Sequence, residues 1–117
     1  MCLVKTHKFP KISFRPIIVY KVLIKSKGVL TTPYQEEVVR LGETMKACKM
    51  WNLAISNKYI RGEGVHAFVD LEHAKQECFL YGRIFITKIP AFTFYWEGFF
   101  GDIAAKRMKI IKEYKSE

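Results

Sequence analysis

Apolar residues recur at period two in IIVYKVLIK, residues 17–25, and this run predicts the clearest strand of the chain. Ile18, Tyr20, Val22 and Ile24 share one face, while Lys21 and Lys25 stand among apolar groups on the other. Ser26-Lys27-Gly28 reads as a turn, because glycine accepts positive φ without strain. Residues 29–33 then return as a short second strand that ends near Pro33. Val65 to Val69 and Arg83 to Ile89 are further strands, the latter stopped by Pro90. Between them the period changes. Asp70 is a helix N-cap, Leu71, Ala74, Cys78 and Tyr81 recur at helical spacing, and Gly82 ends a helix over 70–81.

The remaining segments are less regular. Residues 1–16 mix basic and apolar groups with Pro10 and Pro16, and read as an extended basic arm crossing the surface. Residues 36–50 are good helix formers interrupted by Gly42, so a second helical segment is expected within 36–58, anchored by Trp51, Leu53, Ile55 and Tyr59. Residues 92–100 form the aromatic-dense FTFYWEGFF segment. At the end, Met108 and Ile110 flanked by Arg107 and Lys109 fit a closing strand over 107–114, although intrinsic propensity there favours helix. The expected fold is α+β: one domain over 1–117, with a single mostly antiparallel, curved sheet of five to six strands packed with one or two helices.

Composition narrows the setting. A chain of 117 residues with half its residues apolar builds one core, and aromatic residues at 15% enlarge it. No apolar run is long enough to span a bilayer, and the N-terminus lacks a secretory h-region. Cys2, Cys48 and Cys78 lie far apart, against a disulfide framework or a zinc knuckle, so a cytoplasmic location is expected. Cys2 reads as a small apolar residue at a strand start rather than an exposed nucleophile.

Charge points to a partner. Lys5, Lys8, Lys11, Arg15, Lys21, Lys25 and Lys27 precede the first carboxylate, Glu36, leaving 13 basic against 11 acidic residues downstream. That asymmetry predicts a positive face for an anionic partner, nucleic acid or an acidic protein surface. Phe9, Phe14 and Tyr20 interleave with the cations as base-stacking groups would. The plainer account is that a lysine-rich face solubilises the protein or guards an edge strand.

Chemistry-bearing motifs are sparse. His66 and His73, with Glu72 or Glu77 nearby, are too few for a metal site, and no metal or cofactor is expected. Glu97 beside Trp96 would be partly desolvated, which suits a general acid or base, so His66 and Glu97 are the catalytic candidates. Tyr95 and Trp96 are the aromatic contact candidates. The chain has no glycine-rich phosphate loop, HExxH, GxSxG or CxxC.

Several short motifs carry a resemblance. They are the MCL opening with a KFPKI arm, VYKVL, TPY at 32–34, GVHAF at 64–68 ahead of an alanine-lysine helix, and KIP at 88–90 before Trp96-Glu97-Gly98. Together the chain resembles a group of small uncharacterised proteins of bacteria, phages and prophages. Relatives of that kind finish on a strand, although Ala104-Ala105-Lys106-Arg107 departs from their wording. The order of Tyr20-Lys21, Gly64-Val65-His66 and the following helix is also similar to small ADP-ribosyltransferase-like folds. That likeness implies an enzyme using a nicotinamide dinucleotide, with Lys21 where those folds place arginine or histidine and Glu97 as the late glutamate. The reading that follows from the residues is a non-enzymatic binding module. The alternatives are that enzyme and an assembly protein working through its aromatic patch.

Overall fold

A computed structural model describes residues 3–4, 6, 9–32, 38–46, 59–60, 65–78 and 82–115. Strands β1 (Leu3–Val4) and β7 (Tyr59–Ile60) form a two-stranded ribbon. The other ten strands make one sheet. Its main path begins with β2 (Lys11–Ile12), β10 (Phe94–Glu97), β11 (Asp102–Ala105) and β8 (Val65–Phe68). It continues through β3 (Ile17–Ser26), β9 (Gly82–Ile89), β12 (Arg107–Glu113) and β6 (Thr44–Lys46). Strands β4 (Val29–Thr31) and β5 (Val38–Val39) extend from β3.

The expected α+β fold of five to six strands with one or two helices is therefore corrected. Every pairing in the ten-stranded sheet is antiparallel, and one six-residue helix, α1 (Leu71–Gln76), occurs among the described residues. Over the described residues 38–46, the helical segment expected within 36–58 is replaced by strand, because a partner strand overrides propensity. Val38–Val39 pairs with β4, and Thr44–Lys46 pairs with β12. Gly42, at φ +80, turns the chain between them, and its amide donates to Ile110 O at 2.7 Å. Residues 47–58, including Trp51, lie outside the described residues. The helix expected over 70–81 is shorter, and Gly82 begins β9 instead of ending α1. The basic arm is tied down, with Leu3–Val4 on β7 and Lys11–Ile12 on β10.

The sheet coils. Strands β11 and β12 are separated by β8, β3 and β9 across the sheet, yet only Lys106 separates them along the chain. The two ends of the path are thus drawn together, and the Lys106 amide donates to Phe94 O at 3.0 Å. Inside the coil sit Val19, Val65, Ala67, Ile89, Ile103, Ala105 and Met108, with Leu23, Val39, Phe85 and Ile110 in an adjoining cluster. Alanines at 67 and 105 suit the crowded concave side of a tightly curved sheet. On the outer side, α1 packs through Leu71 and Ala74, with Cys78 just beyond it, against Val22, Phe68 and Ile84. Asp70 caps it by accepting from His73 N at 2.9 Å.

The β3–β4 hairpin closes through Lys27 and Gly28, both at positive φ (53° and 79°), with Ser26 opposite Val29. Two central residues of positive φ match the twist of the flanking strands. Open space surrounds the Cβ position of Gly28, whereas a Cβ on Gly101 would lie 2.7 Å from His73 Nδ1. Gly28→Ala is expected to cost roughly 1–2 kcal/mol from backbone strain alone. Gly101→Ala, at φ +74 with that clash added, is expected to cost more. Urea unfolding of both variants checks this, and equal losses would contradict the packing described.

Candidate anion-binding face

Antiparallel register decides which side chains share a face, because directly opposed residues point the same way. Lys109 on β12 opposes both Thr44 on β6 and Lys88 on β9, and Lys88 opposes Ile18 on β3. These four positions form a row across four strands on the outer side, opposite the coil's core. One step along β12, Arg107 opposes Lys46. Past the bulge between Ile110 and Lys112, Lys112 begins the next row, opposing Ile86, which opposes Tyr20. Helix α1 covers the row beyond, at Val22 and Ile84, and Tyr20 at the far end of the Lys112 row packs against the same cluster.

The face is electrostatically unbalanced. Lys46, Lys109 and Lys112 are exposed, while Arg107 and Lys88 are half-buried. Among the described residues no carboxylate forms an ion pair with any of the five. The Arg107 guanidinium instead donates from Nη2 to Thr93 Oγ1 at 3.2 Å. Two pairs, Lys46–Arg107 and Lys88–Lys109, place like charges directly opposite, with Cβ atoms about 4.5–5.5 Å apart. Edge protection accounts for Lys46 on the last strand of the path, but not for Lys88 and Lys109 on interior strands.

The cations expected to carry the interaction are placed otherwise. Lys5 and Lys8 lie outside the described residues. Lys11 pairs with Glu97 at 3.3 Å and Lys25 with Glu113 at 3.9 Å. Lys21 is corrected outright. It is 7% exposed on the inner side, and its Nζ donates to His66 O at 2.6 Å. Arg15 and Lys27 are both exposed but flank opposite ends of β3, roughly 30 Å apart at about 3.3 Å per residue. Arg15 and Lys27 therefore share no exposed patch. Among the described leading cations, Arg15 adjoins the outer rows, at the end of β3 where Ile18 opposes Lys88.

The aromatic candidates are corrected too. Trp96 is fully buried, and Tyr95 packs half-buried against the inner core. The exposed rings are phenylalanines, among them Phe14 and Phe92 at one end of β10 and Phe99 and Phe100 beyond the other. The catalytic candidates do not converge. His66 opposes Ala104, which opposes Trp96, so Glu97 points to the opposite side of the sheet from His66. No cluster of three or more His, Cys, Asp or Glu residues suited to a metal occurs among the described residues. Nor is any helix among them long and apolar enough to cross a membrane.

Alternation at Arg107, Lys109 and Met108, Ile110 was visible in the sequence and signals a one-sided charged strand. Adding Lys46 and Lys88 to it requires register.

A second polar cluster lies at the far end of α1. His73 Nδ1 sits 2.7 and 2.8 Å from the two Asp70 carboxylate oxygens. The His73 amide and then its ring hold the Asp70 carboxyl below its ordinary value. Burial pushes the Asp102 carboxyl up, against the backbone amides of Asp102 and Phe100. Asp102 is 3% exposed, and its Oδ1 has no hydrogen-bond partner among the described residues.

Compared with known proteins, the chain matches no family model, no curated protein and no solved structure.

The two carboxyls have opposite linkage. Asp70, with a lowered folded value, stabilises above its unfolded range and loses that contribution as pH falls through the folded value. Asp102, with a raised one, favours the fold when protonated and destabilises it once pH rises through that value. Asp102→Asn should therefore raise the melting temperature at neutral pH, with the gain shrinking in acid as the wild-type carboxyl protonates. Thermal melts across pH check this. A lower melting temperature at neutral pH would show that the buried carboxylate is compensated.

Proposed function

We propose that this chain is a non-catalytic binding module whose outer sheet face, built by β6, β12 and β9, engages an anionic macromolecule. The observation that supports this most directly is the two directly opposed like-charge pairs, Lys46–Arg107 and Lys88–Lys109, with no ion pair to a carboxylate among the described residues. Each such pair destabilises the isolated sheet by a few tenths to about 1 kcal/mol. A row of anionic groups laid along β12 would turn that repulsion into attraction. Lysine at most of these positions suits a run of point charges more than a planar, bidentate ligand. The enzyme alternative has less support, because His66 and Glu97 lie on opposite sides of the sheet.

Inorganic polyphosphate, a polyanion without bases, isolates this term. Wild-type protein should bind it at low ionic strength, with affinity falling steeply as salt rises through counterion release. Replacing Lys46 and Lys109 by threonine should weaken binding and lower the slope of log K against log salt by roughly 1 per contact removed. Lys27→Asn, at the hairpin end of β3, should change neither. No binding at low salt, or an equal loss from Lys27→Asn, would remove the outer face from consideration.

A further inference from the structure

Beside the cationic rows stand two aromatic rings whose placement the fold itself does not explain. Phe14 and Phe92 are 75% and 67% exposed. Both sit on loops locked together by a buried hydrogen-bond set. Ser13 N donates to Thr93 O at 3.0 Å, Thr93 N to Ser13 Oγ at 3.0 Å, and Ser13 Oγ to Pro90 O at 2.7 Å. The Phe92 amide donates to Ser13 O. Thr93 Oγ1 is also the acceptor of the Arg107 guanidinium, so the loops abut the cationic face. Exposed Arg15 follows Phe14 directly and makes no ion pair among the described residues.

Phe92 carries a second penalty. Its φ is +61°, in the left-handed region that bulky side chains rarely enter. Glycine or asparagine would hold that conformation with less strain. The position thus combines a strained backbone, an aromatic ring and high exposure. Strain of this kind concentrates where a side chain is presented to a ligand.

We propose that the anionic partner is single-stranded nucleic acid, its phosphates along Lys46, Arg107, Lys109 and Lys88 and its bases stacked on Phe14 and Phe92. This rests on the reading of the outer face as an anion-binding surface. Aromatic rings rigidly held beside a cationic track are the arrangement that binds unpaired bases without reading their sequence. In a duplex the bases are already stacked and offer no face to a ring. A protein partner is less well matched, since the centres of protein interfaces are depleted of lysine. Here Lys46, Lys88 and Lys109 make up most of the cationic rows.

The test compares three strands, with polyglutamate as a fourth probe, by fluorescence anisotropy at low salt. The strands are oligothymidylate and oligouridylate of roughly 16 nucleotides, the upper site size of a small single-strand module, and an abasic strand of equal length. Wild-type protein should bind at least one of the base-bearing strands about tenfold or more tighter than the abasic one. The double variant Phe14→Ala, Phe92→Gly should lose that advantage and keep its abasic affinity. Its melting temperature should not fall, because glycine relieves the strain at position 92. Equal affinity for all three strands, or an unaltered double variant, would overturn the stacking inference and leave the anion-binding face standing. Binding of none of them would overturn both. Polyglutamate bound as tightly as oligothymidylate would assign the face to an acidic protein and overturn the nucleic-acid inference.

Discussion

The unbroken pairing of β3 with β9 is the constraint on which the rest of the molecule depends. It runs from Ile17 opposite Ile89 to Ile24 opposite Gly82 without a register shift. A one-residue slip of β9 against β3 would turn β9 over. Phe85, Thr87 and Ile89 would face outward, and Lys88 would turn into the core. Apolar burial in the coil therefore fixes the position of Lys88, and with it the place of Lys109, Arg107 and Lys46 on the two following strands. The charged face is a consequence of core packing, read from the other side.

That arrangement sets local stability against net attraction for anions. A sheet selected for stability alone would place threonine or glutamate opposite lysine at interior positions. Here the inner positions of β12 are filled by Met108 and Ile110, both fully buried, and the outer positions carry cations that form no ion pair among the described residues. Elsewhere the chain does balance its charges, at Lys11–Glu97 and Lys25–Glu113. Exposed pairs of this kind contribute little stability, but they neutralise the field around them. The contrast between those balanced pairs and the cations of the outer face is what gives that face its direction.

Local signals in the sequence were strong where one segment decides its own structure. Alternation in residues 17–25, the Lys27-Gly28 turn, the Asp70 cap and the charged alternation at 107–110 all reflect interactions within a few residues. The helical expectation over 36–58 failed at Val38–Val39 and Thr44–Lys46 because their partners, β4 and β12, are distant in the chain. The counting of cations in the first third failed for a related reason. Charge per segment says nothing about which side of a sheet each cation faces, and Lys21 was drawn into the core by its odd position in β3. Trp96 shows the same limit, since it is fully buried while Phe92, Phe99 and Phe100 beyond the two ends of β10 are exposed. The candidate face is assembled from β6, β9 and β12, and only pairing brings Lys46, Lys88 and Lys109 together.

The central claim is that Lys88 and Lys109 repel one another across β9 and β12 without compensation. A double-mutant cycle with threonine at each position, read by urea unfolding, isolates that term from the intrinsic propensities of the two residues. The account predicts an unfavourable coupling of a few tenths of a kcal/mol at low ionic strength, fading toward zero at high salt as screening shortens the interaction. A coupling of zero at low salt, or a favourable one, would mean that the two lysines do not face each other or are already neutralised, and the outer face would lose its role.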